Sequence, residues 1–573
     1  MASPTFADLL LERAGDGHPA LRFEDETYSW AQAVAAARTR AALLPDACPE
    51  PPGRPRHVGV LLENVPEYVF WIFAAALGRA TVVGVNPTRR GAELAADVRH
   101  TDCDLIVTDT AHLPLLDALG EEFPADRILV VDSAAYEASL RAAAGRAAGR
   151  AAGRAADGAD RGDPGDPGAR PDDRLLLLFT SGSTGAPKAV ACGQGRLAAI
   201  AERSAMMGIE RDSVTYVAMP LFHGNAVMAN LAMAVHAGAT VALRRRFSAS
   251  GFLPDVRRFG VTYFNYVGRA LAYILATPER PDDHDNTLWC AFGTEASAQD
   301  MAGFARRFGC RIIEGYGSSE GAISLRKTPD SPPDALGVAP PDVEVAVLDP
   351  GTGRECPRAR FDASGALLNP GEAIGELAGL NAGAAFEGYY KDPEADAERV
   401  RGGTYWSGDL GYRDEAGYFY FAGRGADRLR VDSENFAAAP VERILSRWPA
   451  VVMCAVYPVP DPRTGDQVMA ALELHDGTAF DADGFAAFLA AQPDLGTKWA
   501  PRFVRVVRQM PLTATGKVHK RPLRRLLWEP ADGQRVWVRP GRALAYEPLT
   551  AGHVEALRAE FAEHGRDHAL GTL

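Results

Sequence analysis

An apolar run, Leu175 to Phe179, opens into Thr180, Ser181, Gly182, Ser183, Thr184 and Gly185, and Lys188 follows after two more residues. Such a set suits one task. Small residues let backbone N–H groups approach a polyphosphate closely, hydroxyls add donors, and a lysine brings positive charge. The spacing departs from the G-x-x-x-x-G-K-[ST] phosphate loop, because the Gly-to-Lys interval differs and Ala189 follows the lysine. Taken alone, the segment also reads as a flexible polar turn, so its meaning rests on what else the chain carries.

Three other stretches hold reactive side chains: EGYGSSEG (314–321), YWSGDLGYRDEAGYFYFAGR (405–424) and PLTATGKVHKRPLR (511–524). Singly they are weak, since an Asp after Ser-Gly is ordinary turn chemistry and a Thr-Gly-Lys between loops is ordinarily a solvated face. Together with TSGSTGAPK, in this order along nearly the whole chain, they resemble the adenylate-forming superfamily of acyl-CoA synthetases, peptide-synthetase adenylation domains and firefly luciferase. PLFHGNA (220–226), NYVGRALAYIL (265–275), FGTEAS (292–297) and the closing WVRPGRALAYEPLTAGHVEALRAEF are most similar to long-chain acyl-CoA synthetases of the fatty-acid-transport-protein type.

The resemblance implies roles. Thr180 to Gly185 and Lys188 would cradle the ATP phosphates, and Thr184 and Glu320 would hold Mg²⁺. Tyr316, flanked by Gly315, Gly317, Ser318 and Ser319, would lie against the adenine, with Gly293, Thr294 and Glu295 on its other side. Ser319 stands where threonine is commoner. Asp409 would accept from both ribose hydroxyls, a task suited to a two-oxygen acceptor. Arg424 would add a contact near the ribose, and Lys517 would bridge carboxylate and α-phosphate. Val227, Val267, Gly268 and Ala322 would line the acid pocket, Ser433 and Glu434 the coenzyme A tunnel, and Ala426 would be the hinge.

The chemistry accounts for this set. A carboxylate attacking the α-phosphate of ATP brings anion to anion, so the barrier must fall through charge neutralisation and positioning. Magnesium, one acidic ligand and one mobile lysine suffice. His223 reads two ways: as a gate and positioner beside the substrate carboxylate, by resemblance, or as a hydrogen-bonded core histidine. A general base is not needed, because a carboxylate is already ionised at neutral pH.

These residues need a scaffold. HVGVLLEN (57–64), TVVGVN (81–86), DLIVTD (104–109) and RILVVD (127–132) are short β-branched runs separated by helical patterns. That alternation predicts parallel pairing in an α/β sheet covered on both faces. It resumes through VTYVAM (214–219), VTYFNYV (261–267) and RIIEGYG, and after about Gly375 the texture turns antiparallel. We therefore expect a large N-terminal α/β domain over residues 1–424, with parallel sheets and a small antiparallel subdomain, binding acid and ATP. A mobile α+β lid over residues 425–573 would carry the lysine. Residues 139–173 repeat Ala-Ala-Gly-Arg three times and offer only Leu140 to bury, so they read as a mobile linker, with a short Ala-rich helix weakened by its glycines, or a basic docking patch, as the alternatives.

Composition narrows the function. Lys+Arg of 61 against Asp+Glu of 74 leaves a net charge of -13, which argues against nucleic acid or an anionic membrane as main partner. The 7 cysteines are scattered without a Cys-x-x-Cys pair, which argues against a zinc or disulfide framework and fits a reducing cytoplasm. The best apolar stretch, from Tyr68, is broken at Gly78-Arg79, short of the ~20 residues a bilayer span needs. Two positions depart from the family pattern. Ala426, beside Asp427, occupies the hinge, and Ser433 stands where Gly-Glu-Asn usually begins, so that a β-carbon would narrow the thiol passage. The expected activity is that of an acid–thiol ligase using ATP, Mg²⁺ and coenzyme A on an apolar acid, either long-chain or a bulky natural product; a homodimer is left open. One rival is an acyl-AMP ligase serving a carrier-protein phosphopantetheine, although no domain-locking insertion stands at 424–427. The other is a non-catalytic binder, against which Glu320 and Lys517 are both retained.

Overall fold

The structure, a computed structural model, describes residues 4–156, 168–180, 188–267, 270–294, 296–341, 343–362, 367–424, 428–431, 434–463, 465–496, 498–513, 516–531, 534–541 and 543–570. One sheet has six strands in the spatial order Ile128–Val130, Leu105–Thr108, His57–Leu61, Thr81–Gly84, Arg174–Thr180 and Lys188–Gly193. All neighbours are parallel except the last pair. A second sheet has eight, in the order Ser324–Arg326, Arg311–Gly317, Cys290–Thr294, Tyr263–Val267, Val214–Val217, Thr240–Leu243, Pro19–Phe23 and Glu26–Ser29. It is parallel inside and antiparallel at both ends. Helix Pro66–Gly78 is apolar on every side because it is buried on every side, from Tyr68 to Leu77. It shares one core with Val58 and Val60 of the first sheet and Val217 and Val241 of the second.

The two sheets meet where ligands are bound in open α/β folds, at the carboxyl ends of strands. Gly84 closes its strand against the loop before His223. A β-carbon there would stand 2.6 Å from the Phe222 carbonyl oxygen, so glycine alone permits the approach.

An antiparallel sheet follows, in the order Val345–Leu348, Gly375–Gly379, Thr404–Arg413 and Val400–Arg401, with Phe419–Arg424 also paired to Thr404–Arg413. Beyond Arg424 lie the hairpin Arg428–Val431 with Glu434–Ala437, then a sheet of Val451–Pro460, Asp466–Leu474, Phe503–Val507, Arg535–Val538 and Glu547–Pro548. Chain that follows Lys517 seals this last sheet. Trp528 stacks between Phe503 and Phe561, and all three are buried. Fully buried Arg505 donates to the carbonyls of Leu527 at 2.8 Å and Glu529 at 2.9 Å and to Gln534 Oε1 at 2.6 Å. No helix among the described residues is long and apolar enough to cross a membrane.

The linker expected over 139–173 is corrected in its first half. Ala134–Ala156 is a helix packed on helix Trp30–Ala47. Tyr136, Leu140 and Ala143 fall on one face at helical spacing, and Ala143 is fully buried. Arg146 pairs with Asp46, and Tyr136 accepts from Trp71 Nε1 at 3.1 Å. Tyr136, which anchors this face, lies just before the repeat, and Ala143 adds a close contact that a count of large side chains overlooks. Residues 157–167 lie outside the described residues.

Candidate active site

The phosphate-loop residues straddle an antiparallel pair. Thr180 ends one strand directly opposite Lys188, which begins the next. Ser181, Gly182, Ser183, Thr184 and Gly185, between them, lie outside the described residues. Lys188 Nζ stands 3.5 Å from Glu398 Oε2 and 5.3 Å from the Tyr389 ring centroid.

That tyrosine leads to Glu320. The Glu320 carboxylate is buried and accepts from the Tyr389 hydroxyl at 2.8 Å. Arg399 Nε in turn donates to the Tyr389 oxygen at 3.3 Å, and Arg399 Nη1 donates to the Trp406 carbonyl at 3.2 Å. Burial pushes the Tyr389 phenol up, so it stays protonated and donating. Gly408, next to Asp409, has φ +77 and leaves room for the Arg399 guanidinium where a β-carbon would stand.

Asp409 and Tyr316 are brought together: the Tyr316 hydroxyl donates to Asp409 Oδ2 at 2.7 Å. Burial holds the Tyr316 phenol well above its ordinary range, so it too remains a donor. Arg424 sits directly across from Asp409 in the strand pairing. Gly315 and Gly317 flank Tyr316 on the same strand, and Ser318 and Ser319 follow it. Arg196 Nη2 donates to the Ser319 carbonyl. Gly293 lies under the Tyr266 ring, which a β-carbon would strike at 2.4 Å, and Thr294 pairs with Val267. Glu295 lies outside the described residues.

On the acid side, Asn64 clamps the loop that delivers His223, donating to the Met219 carbonyl and accepting from the Leu221 N–H, each at 2.9 Å. His223 Nδ1 accepts from the Asn225 backbone N–H at 3.4 Å, so it does cap the turn that follows. Gly224 abuts Ser319, whose Oγ would lie 3.1 Å from a β-carbon. Val227, Val267 and Ala322 are buried, whereas Gly268 lies outside the described residues.

The lysine loop reaches this region from the C-terminal side. Gly516 has φ +80, and its β-carbon position is 3.6 Å from the Val267 carbonyl oxygen. Lys517 closes the loop on itself: its N–H donates to Thr513 Oγ1 at 3.1 Å and its carbonyl accepts from Thr513 N–H at 2.7 Å. Lys520 Nζ lies 3.0 Å from Glu442 Oε1. Glu434 lies on the strand Glu434–Ala437, while Ala426 and Ser433 lie outside the described residues. Sequence reasoning missed Tyr389, Arg399 and Arg196; only the Gly-Tyr-Tyr-Lys run at 388–391, a glycine turn rich in aromatics, hinted at the first.

Residues 11–390 match the AMP-binding enzyme family and residues 440–517 the AMP-binding enzyme C-terminal domain. Steroid-22-oyl-CoA synthetase of Rhodococcus jostii is 51% identical over 568 residues, covering 99% of both chains. A medium/long-chain-fatty-acid–CoA ligase of Mycobacterium tuberculosis is 45% identical, covering 91% of this chain and 96% of its own. Among solved structures, the anthranilate CoA ligase AuaEII in complex with anthranoyl-AMP matches with TM-score 0.77 at 21% identity, over 91% of this chain and 97% of that one. ATP-bound MatB from Rhodopseudomonas palustris matches with TM-score 0.75 at 23% identity, over 91% and 98%. These last two carry the fold. The chain belongs to the AMP-binding enzyme family, on its acyl-CoA synthetase branch.

Proposed function

We propose that the protein converts a bulky apolar acid of the steroid-22-oyl type to its CoA thioester through an acyl adenylate. The chemistry is supported by the buried Glu320 carboxylate, by the Asp409–Tyr316 pair, and by the approach of Gly516, next to Lys517, to the end of the strand Tyr263–Val267. The substrate class rests on likeness to the steroid-22-oyl-CoA synthetase over 99% of both chains.

In this reading residues 1–424 bind acid and ATP and residues 425–573 form the lid. Asp409 and Arg424 hold the ribose, and Tyr316 faces the adenine opposite Gly293 and Thr294. Lys517 bridges the attacking carboxylate and the α-phosphate as one carboxylate oxygen bonds to phosphorus and pyrophosphate leaves. The lid then turns on Ala426, and the tunnel lined by Ser433 and Glu434 admits coenzyme A. Its sulfur attacks the acyl carbon, and AMP departs. A divalent ion fits the donor proposed for it, because the Glu320 carboxylate is a hard oxygen ligand. Glu320 and Thr184 would hold magnesium together with the substrate phosphates, whose charge it would neutralise. All 7 cysteines are free thiols, which accords with a reducing cytoplasm.

Purified protein given ATP, Mg²⁺ and coenzyme A should turn over a steroid-22-oic acid faster than palmitate or benzoate, read as pyrophosphate release and thioester formed. Preference for palmitate would move the substrate to the fatty acids. Transfer to a holo-carrier protein in preference to coenzyme A would favour the acyl-AMP ligase reading.

A further inference from the structure

Three side-chain amides form a chain beside the proposed acid pocket. Asn230, on the π-helical turn Val227–Leu231, is fully buried, and its Nδ2 donates to the Tyr216 carbonyl at 3.1 Å and to Asn265 Oδ1 at 2.7 Å. Asn265, midway along the strand Tyr263–Val267, is fully buried as well, and its Nδ2 donates to Asn225 Oδ1 at 2.5 Å. Asn225 is only partly buried and stands two residues after His223.

The two ends of an amide have nearly the same shape, so its direction has to be set by a partner of fixed polarity. The Tyr216 carbonyl is such a partner. It can only accept, which makes the facing atom of Asn230 nitrogen. That nitrogen needs oxygen on Asn265, and Asn265 then presents nitrogen to Asn225, which must answer with oxygen. The chain thus turns the Asn225 oxygen inward and leaves its Nδ2, with two N–H bonds, on the other side. The Asn225 backbone N–H meanwhile donates to His223 Nδ1, which puts the proton of a neutral His223 ring on Nε2. The Asn225 amide nitrogen thus stands beside buried Val227 and Val267.

We infer that Asn225 Nδ2 binds the carboxylate of the acid and afterwards the carbonyl oxygen of the acyl adenylate. This rests on the acyl-CoA synthetase reading. When one carboxylate oxygen attacks phosphorus and the bond to pyrophosphate breaks, Asn225 holds the other oxygen. When coenzyme A sulfur adds to the acyl carbon, its proton leaving to solvent, the carbonyl electron pair moves onto the oxygen that Asn225 holds. That pair returns to re-form the carbonyl as the carbon–oxygen bond to AMP breaks, and AMP leaves with the electrons of the broken bond. Donors aimed at an oxygen that gains charge stabilise such a step. Asn225 therefore serves both half-reactions, unlike Lys517.

The test compares wild type, Asn225→Ala, Asn225→Ser and Asn225→Asp, with AMP binding as the check on folding. In pyrophosphate release and in thioester formation from supplied acyl-AMP, Asn225→Ala and Asn225→Ser should each lower kcat/KM for the acyl substrate about tenfold, or about 1.4 kcal/mol, with KM for ATP unchanged. Asn225→Asp should lose about a hundredfold in the first step, because a carboxylate then faces the substrate carboxylate. Wild-type acid kinetics in either neutral variant, a loss that follows ATP instead of acid, or an Asp variant no worse than Ala would each overturn the assignment. A wild-type enzyme that turns over no carboxylic acid would overturn the underlying reading instead.

Discussion

Glu320 on the N-terminal side is buried and fastened through the Tyr389 and Arg399 side chains to the Trp406 backbone carbonyl. Lys517 on the C-terminal side is tied into its own loop through Thr513. Just before that loop, the Met510 N–H donates to buried Glu473 at 2.7 Å, and the Tyr273 hydroxyl reaches the same carboxylate oxygen from the N-terminal part at 3.4 Å. That is the outer edge of hydrogen-bonding distance. The contrast suits a two-step ligase. In the two-step reading proposed above, the groups that hold the AMP moiety belong to one side and the lysine needed only for adenylation belongs to the other, which would move away between the steps.

The most severe test of this contrast is Lys517→Ala. It should cut pyrophosphate release by ~10²–10³, about 3–4 kcal/mol, yet leave conversion of supplied acyl-AMP plus coenzyme A near normal. Equal losses in both assays, in a folded variant, would erase the difference between the two sides. Survival of adenylation would shift the role to another cation, and Lys520, engaged with Glu442, is poorly placed to take it.

Asp409→Ala should slow both half-reactions, since its charge-assisted bonds to ribose are worth about 1.5–3 kcal/mol each and AMP is held throughout. Unchanged KM for ATP would mean that the carboxylate serves Tyr316 alone. Tyr389→Phe removes one hydrogen bond from buried Glu320. A loss of about 1 kcal/mol should appear as a roughly fivefold higher Mg²⁺ requirement in both steps, read by metal titration. The smallest effect belongs to Tyr273→Phe. Adenylation should fall about twofold as the closed arrangement loosens, with the thiol step unaffected, because so long a bond contributes little. A slower thiol step there would place Tyr273 in the second arrangement too.

The glycine- and hydroxyl-rich runs could be picked out because backbone approach is a local property, but each was weak alone, and Tyr316, Glu320, Asp409 and Lys517 took their proposed roles only from the order of the motifs along the chain. The parallel strands were legible for a like reason, since two-sided burial leaves unbroken apolar runs. The Glu320 brace was not, because Tyr389 lies 69 positions away in sequence and an isolated tyrosine shows no partner. The helix Ala134–Ala156 was misread because the Ala-rich stretch from residue 139 offers only Leu140 and a closely packed Ala143, while Tyr136, which anchors the same face, lies before it. The orientation of Asn225 had no sequence signal at all, since a carbonyl on another strand sets it.

The family match on the C-terminal side stops at residue 517, but the packing under it does not. Trp528, Phe561 and the strand Arg535–Val538 lie past that point and still form the underside of the sheet that presents the lysine loop. Exchange of lids between this enzyme and a shorter relative at the homology boundary would therefore strip hydrocarbon from one layer and leave the Arg505 guanidinium facing emptied carbonyl positions. A chimaera that keeps the chain through Leu570 transplants a whole folding unit; one cut at 517 transplants a fragment.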